Sequence, residues 1–366
     1  MEHSTSTSDM ARERGNEPTK KMKLALLLIS AAILILGNSG GPLLLRLYFV
    51  RGGTRLWFSS WLETGGWPFM FIPLAVSYFY RRRTSNDHLQ TKLFFITPRL
   101  FLASAFLGIL TGLDDYMYAY GSSYLPVSTS SLLISTQLMF NAIFAFFVVK
   151  QKFTSYSINS VFLLTLGAVV LGLHTGGDRP ANETHLQYIK GFVMTIGAAL
   201  LYGLVLPLIE LAYMKARQEI TYTLVIEMQM VMSFFATAFC TVGMLINHDF
   251  QAISREAYEF ELGPVKYYMV VVFSAIIWQC FFLGMVGVVS SSSSLHAGVI
   301  IAAFIPVTEV LGVIFFHEKF SAEKGVSLAL SLWGFASYLY GEKKKMAKDQ
   351  KQIIQKTELV KETELA

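Results

Sequence analysis

The stretch "LALLLISAAILILGNSGGPLLLR", residues 24–46, decides the fold. Its single charge, Arg46, stands at its very end, and as a helix it is long enough to cross a hydrocarbon core of roughly 30 Å. Comparable runs recur near 57–79, 99–120, 126–149, 156–175, 188–211, 222–246, 266–289, 294–316 and 323–341. The chain of 366 residues is 53% hydrophobic and only 15% charged, against about a quarter charged in soluble domains. The expectation is an all-α integral membrane protein of ten transmembrane helices.

Charge sets the expected orientation. With ten spans and a cytoplasmic amino terminus, the inside segments hold 21 of the 30 Lys and Arg residues, among them Arg81, Arg82, Arg83, Lys343, Lys344 and Lys345. That bias places both termini in the cytoplasm and accounts for the formal charge of +5 without nucleic acid. Residues 1–22 read as a disordered cytoplasmic tail, 177–187 as an external loop and 342–366 as a basic cytoplasmic tail. Asn182, in the triplet "NET" of that loop, is a glycosylation candidate. Cys240 and Cys280 fall inside spans and read as small apolar residues. No cofactor or metal site is expected.

Two segments look like copies. "VKQKFT" at 149–154 and "FHEKFS" at 316–321 align Lys152 with Lys319 and Phe153 with Phe320, an offset that also pairs Gly167 with Gly334. A five-span unit repeated over 23–176 and 188–341 must insert the second time upside down, giving two inverted five-helix repeats that alternate access around a central site.

Several longer pieces carry a resemblance: "GNSGGPLLLRLYFVRGG" (37–53), "WLETGGWP" (61–68), "GLDDYMYAYGSSYLPVSTSSLLISTQL" (112–138), "FAFFVVKQKF" (144–153) and "LWGFASYLYG" (332–341). On these the chain resembles the plant purine permeases, of the drug/metabolite transporter superfamily. The resemblance implies a ten-helix carrier that imports adenine, cytokinins and related heterocycles with protons, with the plasma membrane as the expected location. It does not name the preferred substrate.

Six carboxylates lie in or at the margins of the spans: Glu63, Asp114, Asp115, Glu210, Glu227 and Glu309. No Lys or Arg is expected deep enough to neutralise them. An ionised Asp at mid-helix costs on the order of 3 kcal/mol, and protonating one at pH 7 costs roughly 4 kcal/mol. The two costs are comparable, so such a group suits proton coupling. Glu309, apolar on both sides and following Pro306, leads the candidates, with Asp114, Asp115, Glu63 and Glu227 behind it; Glu210, near a span end, is discounted.

A purine needs flat surfaces and groups that both donate and accept. Gln137 and Asn141, one turn apart, offer amides to a base edge or a stitch between helices. Trp278, Gln279, Trp61, Tyr116, Tyr202 and Glu309, the last as an acceptor for an amine, complete the substrate candidates, with Tyr116 and Tyr120 equally suited to an interfacial belt. Met139, Phe140, Phe144 and Phe304 could house an apolar substituent. The alternatives are an antiporter of nucleotides or phosphorylated sugars on the same fold, which asks for mid-membrane Lys or Arg, and a purine or cytokinin sensor that moves nothing. An enzyme is not indicated, since "HEKFS" lacks the second histidine of a zinc helix. The oligomeric state is not legible.

Overall fold

The computed structural model describes residues 20–84, 94–125, 133, 134, 136–173, 184–316 and 322–365. Among these there are twelve α-helices and one 3-10 turn: α1 Lys20–Val50, α2 Leu56–Thr64, the turn Trp67–Met70, α3 Phe71–Thr84, α4 Pro98–Tyr124, α5 Gln137–Val149, α6 Ser155–Leu173, α7 His185–Lys215, α8 Tyr222–Ile246, α9 Asp249–Glu259, α10 Pro264–Ser291, α11 Ser294–Phe316 and α12 Ala322–Leu365. Six of them, α1, α4, α7, α8, α10 and α11, are long and apolar enough to cross a membrane. Their outward surfaces expose Leu28, Leu102, Val193, Ile246 and Val265, groups that lipid covers and water would not tolerate in such density.

The expected second span is broken. Gly65 and Gly66 hold the chain poorly in a helix, and Pro68 disfavours helical backbone at the residue before it. The helix therefore stops at Thr64 and restarts through the turn Trp67–Met70. The last span is longer than expected: α12 runs for 44 residues, roughly 66 Å at helical rise, well beyond a bilayer. Asn182 lies outside the described residues.

Helix α1 packs along α10 and also touches α11; α7 packs on α4 and α5; α6 packs on α12; α8 lies against α4 and α2. The α1–α10 seam is a backbone-to-backbone approach. A Cβ at Gly37 would strike the main chain of Phe281, and one at Gly284 the main chain of Leu34, so both positions require glycine.

Helix α9 was not expected. It is an amphipathic helix between α8 and α10, and its Glu256 is buried. The hydroxyls of Tyr48 and Tyr267 both donate to Glu256 Oε1. The N–H and hydroxyl of Thr54 donate to Oε2 at 3.2 Å. Arg55 lies 3.5 Å from Asp249 and 3.9 Å from Glu256. One carboxylate thus ties the α1–α2 loop to α9 and α10.

Glu256→Ala removes the acceptor for four buried or half-buried donors and should destabilise the protein by on the order of 3 kcal/mol. A thermal melt of the detergent-solubilised protein should show a clear fall in Tm, with Glu256→Gln, which keeps one acceptor oxygen, falling less.

Candidate functional site

A cavity of about 320 Å³ opens between the helices, lined from α1, α2, α4, α5, α7, α10 and α11. Along α1 its wall runs from Asn38 to Val50, roughly 18 Å of helix, so it reaches from mid-helix to the face where α1 and α4 end. Pro42 lies on that wall and inside α1. Proline has no N–H, so the Asn38 carbonyl loses its normal donor four residues on. The Thr308 hydroxyl, which donates to Phe304 O of its own helix at 3.1 Å, lies 3.5 Å from that carbonyl. The Asn38 amide in turn donates to Ile301 O at 3.2 Å, which joins α1 to α11 at the cavity's depth.

Glu63, Asp114 and Asp115 converge on the same cavity. They are 2%, 7% and 2% exposed, and the Glu63 and Asp115 side chains lie close together. Two carboxyl groups hydrogen-bond to each other only with a proton between them. Glu63 Oε1, Asp114 Oδ1 and Asp115 Oδ2 have no hydrogen-bond partner among the described residues. Orphaned polar atoms in hydrocarbon are costly, and their aim into a cavity marks a place for a polar guest.

Gln137, Tyr202 and Trp278 also line the cavity. The structure therefore gathers six of the residues expected from sequence into one site. Asn38, Arg46, Tyr118, Phe281 and Thr308 join them, and sequence reasoning missed all five. Arg46 stands on the same wall, about two helical turns from Asn38 toward Val50. Standing at the margin of a span, it was read as an end residue, yet the wall on which it sits continues to Val50. Its terminal nitrogen would lie 3.3 Å from a Cβ on Gly312 of α11.

Other candidates are placed elsewhere. Asn141, wholly buried, donates to Ser294 O at 3.0 Å and bridges α5 to the start of α11. Trp61 donates to the Thr241 hydroxyl at 3.1 Å. Tyr116 stacks on Trp57 at 3.8 Å between ring centres. Glu227 accepts the N–H groups of Phe95 and Ile96, each at 2.8 Å, and Glu210 accepts that of Ser294 at 2.7 Å; both secure chain just before or at a helix start. Gln279 donates to Thr64 O at 2.8 Å, the last carbonyl before the break in the second span, and accepts from Ser233 at 3.3 Å. Ser233 continues to Gln229 at 2.8 Å, so a buried polar layer supports the helix end that carries Glu63. Glu309 lies on α11 beside Thr308, and its side chain is outside the described residues. Met139, Phe140, Phe144 and Phe304 do not line the cavity; Leu43, Leu45, Phe49, Ile134 and Ile305 supply its apolar wall.

A family model described as purine nucleobase transmembrane transport matches residues 25–348. "Purine permease 3" of Arabidopsis thaliana is 56% identical, covering 91% of this chain and 95% of that protein. "Purine permease 2" of the same plant is 52% identical, covering 93% and 98%. A solved crystal structure at 15% identity aligns with a TM-score of 0.57 over 86% of this chain and 97% of that one, a likeness of fold.

The contrast between the two amides is measurable. Asn141→Ala breaks an interhelical hydrogen bond worth about 1 kcal/mol and strands a buried carbonyl, so it should lower Tm in detergent by several degrees. Gln137→Ala, on the cavity wall, should leave Tm nearly unchanged.

Proposed function

Because the chain belongs to the purine permease family, a family of transporters and not of enzymes, we propose that it imports purine-type bases, adenine and cytokinin free bases, together with protons by alternating access. The observation that carries this reading is the cavity itself. Three buried carboxyls, a glutamine amide and aromatic rings meet there within reach of one small flat molecule. The Glu63–Asp115 pair suits proton uptake and release, because two neighbouring buried carboxyls on the cavity wall can take up one proton between them and give it back.

The helix contacts support a pair of inverted five-helix repeats. Exchange the two halves, and the packing of α1 on α10 and α11 becomes that of α7 on α4 and α5, while α6 on α12 maps onto itself. The Lys and Arg distribution supports cytoplasmic termini, and with that orientation the cavity reaches the external face. The plasma membrane is the location in which import would use the external proton supply. The wall residues Leu43, Leu45 and Phe49 offer an apolar substituent, such as a cytokinin side chain, a place beside the polar depth.

Arg46 gives one observation in favour of an anionic cargo, the nucleotide antiporter. Three acids against one guanidinium weigh the other way, since a phosphate brought among them meets net repulsion. A sensor would use the same cavity without net accumulation.

Labelled adenine should accumulate in cells or proteoliposomes, faster as external pH falls, and the accumulation should collapse with a protonophore. Asp115→Asn should abolish the pH dependence of uptake. Uptake that is indifferent to pH and protonophore would remove the symport mechanism, and binding without accumulation would indicate a sensor. In a competition series, adenine and trans-zeatin should displace labelled adenine at far lower concentration than AMP; strong competition by AMP would support the antiporter.

A further inference from the structure

Trp278 lines the cavity, and its indole is packed upon by neighbouring groups. A Cβ built on Gly41 of α1 would lie 2.8 Å from the indole ring, so α1 rests directly on it. Phe281 meets the indole edge-on, at 5.5 Å between centres and 83° between planes, and Phe282 leans on it at 6.3 Å. These contacts fix the position of the indole. Its one polar atom is Nε1. It is buried, in a residue only 6% exposed that lines the cavity, and it has no acceptor among the described residues.

An indole nitrogen can only donate. Tyr202, whose hydroxyl is likewise buried and unpartnered, can donate or accept and so imposes no direction. The carboxyls accept or donate according to whether they hold a proton. Trp278 is thus a donor that cannot reverse, as the Arg46 guanidinium is further along the wall, and a buried neutral donor of that kind favours a guest that presents a lone pair to it and rejects one that presents C–H or N–H.

We propose that the Trp278 Nε1–H donates a hydrogen bond to one unprotonated ring nitrogen of the transported base, so that this contact selects the cargo. The inference rests on the reading of the cavity as a purine site and adds a requirement to it: one ring nitrogen must stay free of substitution.

Uptake of labelled adenine is competed with adenine and with 1-deaza-, 3-deaza- and 7-deazaadenine, in which one ring nitrogen at a time becomes C–H. In the unaltered protein, one analogue should compete about tenfold or more weakly than adenine through loss of this contact. In Trp278→Phe that gap should close, while the ranking of the other two analogues stays as it was. If Trp278→Phe fails to fold, β-(3-benzothienyl)alanine placed at 278 keeps the shape of the indole with sulfur in place of N–H, and should close the same gap. The proposal is overturned if the unaltered protein tolerates all three analogues, if the gap persists without the N–H, or if all competitors weaken equally. Absence of adenine uptake by the unaltered protein is a separate outcome, which removes the purine reading and this inference with it.

Discussion

A carbonyl or N–H freed inside hydrocarbon has no water to turn to, and this requirement organises the interior. Pro42 leaves the Asn38 carbonyl without its helical donor, and the Thr308 hydroxyl of α11, shared with Phe304 O, comes to 3.5 Å from it. The break after Thr64 leaves another carbonyl, and Gln279 reaches it from α10. The N–H groups of Phe95, Ile96 and Ser294 are met by Glu227 and Glu210. Each repair uses a side chain from a distant helix, so the irregularities that shape the cavity also fasten its walls.

The same requirement bears on every buried polar residue. The cavity gathers many of those left without a partner among the described residues, although Asn141 Oδ1 and the Tyr213 hydroxyl, away from it, lack one too. Asn141, Gln279, Glu210 and Glu227 are engaged with backbone. Glu63, Asp114, Asp115, Tyr202 and Trp278 keep buried atoms without partners, and all of them line one cavity. In a medium of low dielectric that arrangement is tolerable only where a guest, water or a proton can answer it. The chemistry of the site follows from what the helices leave unsatisfied.

Composition and hydrophobic run length made the membrane class and most helix positions legible, since burial in lipid needs only about 20 apolar residues in a row. The break at Gly65 and Gly66 was written in the "GGWP" sequence, but a window that averages hydropathy passes over it. Helix α9 was not seen because its apolar face is covered by α10 and the α1–α2 loop, and only its tertiary partners stabilise it. For the site, residue type nominated the right chemistry, but a buried glutamine facing a backbone break and one facing a cavity look alike in one dimension. Gln279 and Gln137 differ only in what stands opposite. Arg46 was missed because a span end in sequence need not be the end of a cavity.

The seam between α1 and α10 has an elastic consequence. Main chain touches main chain at Gly37 and Gly284, Gly41 bears on Trp278, and the Glu256 clasp joins the ends. Neither helix can slide along the other without a collision, so the two form a stiff beam along the cavity. Compliance has to reside elsewhere, and the break at Gly65 and Gly66, which sits against α10 at Ala275, is a place beside the beam where the helix is interrupted. The turnover of such a machine would then be governed by the bending of a few residues that never touch the cargo.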